Sequence, residues 1–280
     1  MASLWLALTS NKFSHKFVFF LRIQYYILIM FRLIINADDL GISEDVNRAI
    51  TECFSERIIT STTLMVNMDY ADQAVDLAVK HGWHERVGLH LNLTSGRPLT
   101  KRILRYKCFC GKDGCFNARF AKNTMSRLVL SKEEIEAARI EAEAQIRKYI
   151  SYGLPDKHLD SHHHVHTDPS VWKAIEPLIT AYGIRSVRLT RNLYRRMSFA
   201  KRIYKDRFNK KLKALPVMTT DYFGSFKDFS QCRESMKDGT IAEIMIHPMY
   251  DESGRLMDTA KPIEEERDYL SRFKYIKEFY

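Results

Sequence analysis

A chain of 280 residues with 45% hydrophobic and 28% charged side chains has globular composition and is long enough for one large domain with a sizeable core. Its formal net charge of +10 is not spread over the surface: segment 188–213 holds eleven Lys or Arg against one acid, Asp206, and carries the whole excess. That excludes a protein that binds nucleic acid through its entire surface and confines any basic function to one element.

Residues 17–30 are strongly apolar but contain Arg22 and Gln24. They fall short of the roughly 20 apolar residues a spanning helix needs, and no small-residue cleavage site follows them. Residues 1–29 are therefore read as a dispensable extension, not a membrane anchor, and 30–280 as a single domain starting naturally at Met30. A chain that begins at Met30 should be soluble and active. Loss of soluble, active protein on that truncation would make the extension part of the fold.

From there the elements alternate. Residues 31–36 read as a buried strand and 37–41 as the loop leaving it. Ser43 caps a helix with Glu44 and Asp45 in its first turn and an apolar stripe of Val46, Ile50, Cys53 and Phe54. A strand over 62–67 and a helix over 70–81 follow. In the strand 87–94, Val87, Leu89, Leu91 and Leu93 take one face, and Gly88, His90, Asn92 and Thr94 the other. A face of one small and three polar residues suggests a site. Ser131 and Glu134 form a capping box for a helix striped by Ile135, Ala138, Ala142, Ile146 and Tyr149 and ended by Gly153. Leu159 leads a short strand into Asp160-Ser-His-His-His-Val-His166. Trp172, Ile175, Ile179 and Tyr182 stripe the next helix, closed by Gly183. A strand over 184–189, a late strand over 241–246 ending at His247-Pro248, and a last helix from about Pro262 complete the chain. Such alternation argues a parallel sheet with helices outside it, and polar clusters at successive strand ends are where an α/β barrel places its active site.

Four places carry chemistry: Asp38-Asp39, His90, the cluster from Asp160 to His166, and His247. Adjacent aspartates at a strand end usually cannot face the same way, so one can bind a metal while the other points at a water. Two imidazoles from other strands would complete a two-His, one-carboxylate site with open positions. A metal there activates water and polarises a carbonyl, and the free carboxylate stands as general base. Taken singly, an Asp-Asp pair is a turn and His90 a hydrogen-bonded barrel residue; their joint occurrence with the histidine cluster points to a site.

At these residues the sequence resembles a known family. Asn36-Ala-Asp-Asp-Leu-Gly41, Thr60-Ser-Thr-Thr63, Val87-Gly-Leu-His-Leu-Asn-Leu-Thr94, Leu159-Asp-Ser-His-His-His-Val-His166 and Ile246-His-Pro248 look like the YdjC-like carbohydrate deacetylases, which include chitooligosaccharide deacetylases. The resemblance implies a distorted (β/α) barrel, TIM-barrel-like, and a divalent metal, magnesium with zinc as the alternative. It implies ligands at Asp39, His90 and His162, Asp38 as base with His247 as the second catalytic candidate, and release of acetate from N-acetylglucosamine units. Leu40 stands where the family generally has Phe. The alternatives are another metal-dependent amidohydrolase on the same barrel and a catalytically idle sugar-binding protein; the second aspartate argues against an iron oxygenase.

Two segments stand outside the resemblance. Cys108, Cys110 and Cys115 look like half a zinc site, or a loop of reduced thiols. Tyr194, Met197, Tyr204, Phe208 and Leu212 give the basic segment a helical stripe, so it is expected to pack on its own domain with a solvated face and not to bind nucleic acid. An odd cysteine count without a secretory framework suggests a cytoplasmic protein. A homodimer is left open.

Overall fold

The structure, a computed structural model, describes residues 31–122, 128–194, 197–271 and 273–275. The reading of residues 1–29 therefore concerns residues outside the described part. Seven strands form the main sheet: β1 (Phe31–Leu40), β2 (Ser61–Leu64), β3 (Val87–Leu91), β4 (His158–Ser161), β5 (Ser186–Val187), β6 (Tyr222–Ser225) and β7 (Thr240–Ile246). Their order is β5-β4-β3-β2-β1-β7-β6, with every neighbouring pair parallel. The two edges meet through the segment after β5. The backbone N–H groups of Asn192 and Leu193 both donate to the Phe223 carbonyl, each at 3.1 Å, and Asn192 Oδ1 accepts from the Phe223 N–H at 2.8 Å. The sheet thus curls into the expected distorted barrel. A small antiparallel sheet of β8 (Pro248–Tyr250), β9 (Leu256–Asp258) and β10 (Lys261–Pro262) follows β7. A last strand, β11 (Lys274–Tyr275), pairs with the start of β1.

The helices form where the sequence provides ends for them. In α1 (Glu44–Ser55) the Ser43 hydroxyl accepts the Val46 N–H, satisfying a donor with no partner inside the helix. In α3 (Lys132–Ser151) the Ser131–Glu134 capping box is complete. Between them lies α2 (Ala71–Lys80); α4 (Pro169–Ala181), α5 (Phe199–Lys213), α6 (Phe226–Cys232) and α7 (Ile263–Leu270) come after. Among the described residues no helix is long and apolar enough to cross a membrane.

Period-two alternation sorts the sheet into two faces. Leu33, Ile35 and Ala37 of β1 and Leu89 and Leu91 of β3 join Ile50, Cys53, Ala138, Ala142 and Ile146 in one apolar layer under the helices. The other face lines the barrel and is polar: Asn36, Asp38, Thr63, His90, His158, Asp160, Ser186, Arg188 and Glu243 are all buried. Gly88 belongs to this interior. A Cβ there would lie 3.0 Å from His158 Cβ and 3.2 Å from Thr63 Cγ2, so any larger residue would have to push these side chains back by a few tenths of an ångström.

Several boundaries differ from the sequence reading. The strand expected over 62–67 covers four residues and that over 184–189 only two, because both give way early to side-chain-bonded rim loops. β1, conversely, runs on through Asp38 and Asp39. The basic stretch does contain a helix, but it starts at Phe199, so Tyr194 and Met197 lie before it. Phe208 and Leu212 are buried, and the Phe208 ring meets Trp172 of α4 at 5.2 Å. The expected packing on its own domain holds for that part of the stripe.

Candidate active site

The site begins at the end of β1. Its pairing with β2 shifts register between Ala37 and Leu40, and Asp39 adopts a left-handed φ of 68°. A bulge of this kind re-aims a side chain, and a short polar residue tolerates the conformation better than most. The usual alternation is broken here, so both aspartates reach the same interior cluster instead of facing apart. Asp39 Oδ1 lies 3.1 Å from His90 Nε2 and 2.7 Å from His162 Nδ1.

His90 is fixed from behind. Its Nδ1 lies 2.7 Å from Asp160 Oδ1, and Thr63 Oγ1 donates to Asp160 Oδ2 at 3.1 Å. An Nδ1 proton held by that carboxylate turns Nε2 towards Asp39, the arrangement that orients metal-binding histidines. Burial alone would disfavour an imidazolium, but Asp160 and Asp39 outweigh it and raise the His90 pKa to about 10. The position between His90 and Asp39 attracts positive charge.

The histidine cluster divides its work. His163 and His164 both have left-handed backbones, with φ of 54° and 55°, which splays their rings. His162 turns to Asp39. His163 Nδ1 meets Thr94 Oγ1 at 2.9 Å. His166 is buried between Ser161 Oγ at 2.6 Å and the Arg188 carbonyl at 3.0 Å, a structural role. The His164 Nδ1 is buried without a hydrogen-bond partner among the described residues. Burial, with the Arg188 charge nearby, holds the His164 pKa well below the ordinary histidine value.

At the centre stands Arg188, which the sequence reading counted with the basic segment and placed on the strand expected over 184–189, without giving it a role in the site. It is 1% exposed. Its guanidinium forks onto Asp38, with Nη1–Oδ2 and Nη2–Oδ1 both 2.7 Å, and reaches Asp160 Oδ2 at 2.6 Å and Glu243 Oε1 at 2.6 Å. Its location corrects the charge bookkeeping: one of the eleven cations is internal. Burial pushes Asp38 towards neutrality, but Arg188 prevails and keeps its carboxyl below the usual range, hence ionised. Asn36 Nδ2 also donates to Asp38 Oδ1 at 2.9 Å. Burial moves Glu243 the other way, to about 7.

Three groups of side chains could in principle hold an ion: Asp39 with His90 and His162, Asp38 with His90 and Asp160, and His158 with Asp160 and Glu243. The second and third would set a cation against the Arg188 guanidinium, which already occupies Asp38, Asp160 and Glu243. The first suffers no such conflict. Its ligand atoms lie within 4.8 Å of one another, and Asp39 has no arginine partner among the described residues. Among the described residues the Asp39 carboxylate meets only the two imidazoles, His90 Nε2 and His162 Nδ1, so a divalent cation placed among the three would supply its counter-charge. The residues present fit the metal.

His247 stands at the C-terminal end of β7, whose Ile246 pairs with Ala37 beside Asp38. Its side chain is 42% exposed at the rim, with Nδ1 3.9 Å from Asp258 Oδ1. It lies outside the three candidate metal groups. The cysteine loop does not extend the site. Cys108 donates to Glu134 Oε1 at 3.1 Å. Burial and then Glu134 push the Cys108 thiol up to about 12. No candidate ligand group among the described residues includes a cysteine, and Cys108, Cys110 and Cys115 are free of disulfides.

The chain matches the family described as YdjC-like protein over residues 32–275. A carbohydrate deacetylase of Geobacillus stearothermophilus is 35% identical over 222 residues, 78% of this chain and 79% of that protein. One from Brevibacillus brevis is 34% identical over 227 residues, 78% of this chain and 82% of that protein. One from Clostridium beijerinckii is 42% identical over 153 residues, 55% of this chain and 58% of that protein. Among solved structures, a candidate cellobiose-phosphate cleavage protein from Enterococcus faecalis aligns with a TM-score of 0.66 at 22% identity, covering 88% of this chain and 96% of that one. That likeness speaks to the fold alone.

Proposed function

The chain belongs to the YdjC-like family, and from that premise we propose that it is a divalent-metal-dependent hydrolase that removes acetyl groups from N-acetylglucosamine-containing oligosaccharides and releases acetate. Relatives named carbohydrate deacetylase support a hydrolase that cleaves amide bonds of sugars. The observation that carries the metal dependence is the convergence of Asp39, His90 and His162 beside an ionised Asp38.

Asp39, His90 and His162 would hold the metal. The family resemblance implies magnesium; two imidazole nitrogens are a softer set than magnesium usually takes, and zinc is the alternative. When bound, such an ion lowers the pKa of water and polarises the acetyl carbonyl. Asp38 takes the proton of the attacking water. Its Oδ2 accepts from Arg188 Nη1 and keeps a lone pair free for that proton. Arg188 fixes the carboxylate and keeps it ionised. Asp160 holds the His90 ring in one tautomer. His247, open at the rim beside β1, donates a proton to the departing sugar amine. Acetate release from short N-acetylglucosamine oligomers, measured with and without chelator, tests the reading. Release that chelator abolishes and metal restores is expected. Release insensitive to chelator, or sugar binding without release, would contradict it.

A further inference from the structure

His247 is backed by two carboxyl groups that come from outside the barrel. Ile246 of β7 pairs with Ala37 of β1, and one residue further along these two strands stand His247 and Asp38. Asp258, the last residue of β9, pairs in the small antiparallel sheet with Pro248 on one side and Lys261 on the other. That register returns its side chain to His247. Asp258 Oδ1 accepts the His247 N–H at 2.8 Å, and His247 Nδ1 stands 3.9 Å from the same oxygen. The second distance is too long for a hydrogen bond but short enough for the carboxylate to attract an imidazolium.

Behind Asp258 lies Glu266 of α7, which is buried. A buried carboxyl needs donors or a cation. No donor reaches Glu266 Oε2 among the described residues; the carboxyl instead meets that of Asp258. Ionised carboxylates only accept hydrogen bonds, so the two can stay in contact only if one of them carries a proton. Asp258 Oδ1 already accepts two donors, the His247 N–H and the Thr259 hydroxyl, the latter at 3.4 Å. The proton therefore belongs on Glu266. Burial and then Asp258 push the Glu266 pKa up to about 8; Glu265 adds to the rise and Lys261 opposes it. Arg255, beside β9, does not relieve the pair, for it is engaged by Glu264 at 3.3 Å.

We propose that Glu266 is a positioning residue for proton donation by His247: its carboxyl O–H is donated to Asp258, which holds that carboxylate against the imidazole and leaves His247 Nε2 facing the departing amine. As the amide C–N bond breaks, the nitrogen takes its electron pair and the Nε2 proton, and the imidazole is left neutral. This role rests on the reading of His247 as the proton donor. Carbon-13 NMR of protein labelled at the glutamate carboxyls follows the pair without turnover. A signal that titrates at about 8 and disappears in Glu266→Gln is expected; a Glu266 carboxyl that titrates in the ordinary glutamate range would overturn the shared proton. Glu266→Gln and Glu266→Leu both fill the space, but only the amide can still donate to Asp258. The Gln variant should therefore retain kcat, while the Leu variant loses about tenfold, the worth of one hydrogen bond, with KM and metal content unchanged. Equal kcat in the two variants would overturn the positioning role. The Gln variant and the NMR titration decide the matter even if the Leu variant does not fold. Undiminished acetate release by His247→Gln would instead remove the donor itself, and with it the role of Glu266, while the NMR signal would still show the carboxyl pair.

Discussion

Asp39→Asn and Asp38→Asn are expected to fail in different ways. Asp39 is the only anionic member of its metal group, with His90 Nε2 and His162 Nδ1 both directed at its Oδ1. Its amide should lower metal affinity sharply, and activity should partly return at high metal concentration. Asp38 lies outside that group, bound to Arg188 and Asn36. Its amide should keep the metal and lose about 10²–10⁴-fold in turnover, the usual range for a positioned general base. Excess metal should not rescue it. Metal content by elemental analysis, with kinetics on a short N-acetylglucosamine oligomer, separates the two. Metal loss in Asp38→Asn with retention in Asp39→Asn would reverse the roles.

Arg188→Met should destabilise the protein by about 3–5 kcal/mol, the range found when one partner of a buried ion pair is removed. The reason is the count of stranded groups. Asp38, Asp160 and Glu243 all bind this guanidinium in the barrel interior, and all three are buried. Adding Glu243→Gln should recover part of the loss, because the two changes share one network and are not additive. Urea unfolding of wild type, single and double variants measures both effects. A single-variant loss under about 1 kcal/mol would mean that the interior rearranges or hydrates freely, contrary to the network described.

The candidate metal group was legible because each member sits in a local pattern. Asp38 and Asp39 follow an apolar run, His90 lies on the polar face of an alternating strand, and His162 opens a histidine cluster. Arg188 was not, because it is camouflaged: it begins a run of basic residues, and its partners Asp38 and Glu243 are 150 and 55 residues away. Asp160 was seen only as a companion of the histidines, although its bond to His90 spans 70 residues. The left-handed turn at Asp39 belongs to the backbone and overrides the alternation a sequence suggests. On the fold side, long periodic elements such as α3 were readable from caps and stripes. Strands of two to four residues such as β6, β8, β9 and β10 were not, because nothing in so short a run distinguishes a strand from a loop. The small antiparallel sheet matters to the site, for Asp258 of β9 accepts the His247 backbone N–H at 2.8 Å.

The most direct measurement is the position of the metal. Crystals grown with zinc or manganese should show one anomalous-difference peak at about 2.0–2.2 Å from the Asp39 carboxylate, His90 Nε2 and His162 Nδ1, with Asp38 still paired to Arg188. A peak among His158, Asp160 and Glu243, or none at the Asp39 group in crystals of a protein that releases acetate, would contradict the assignment.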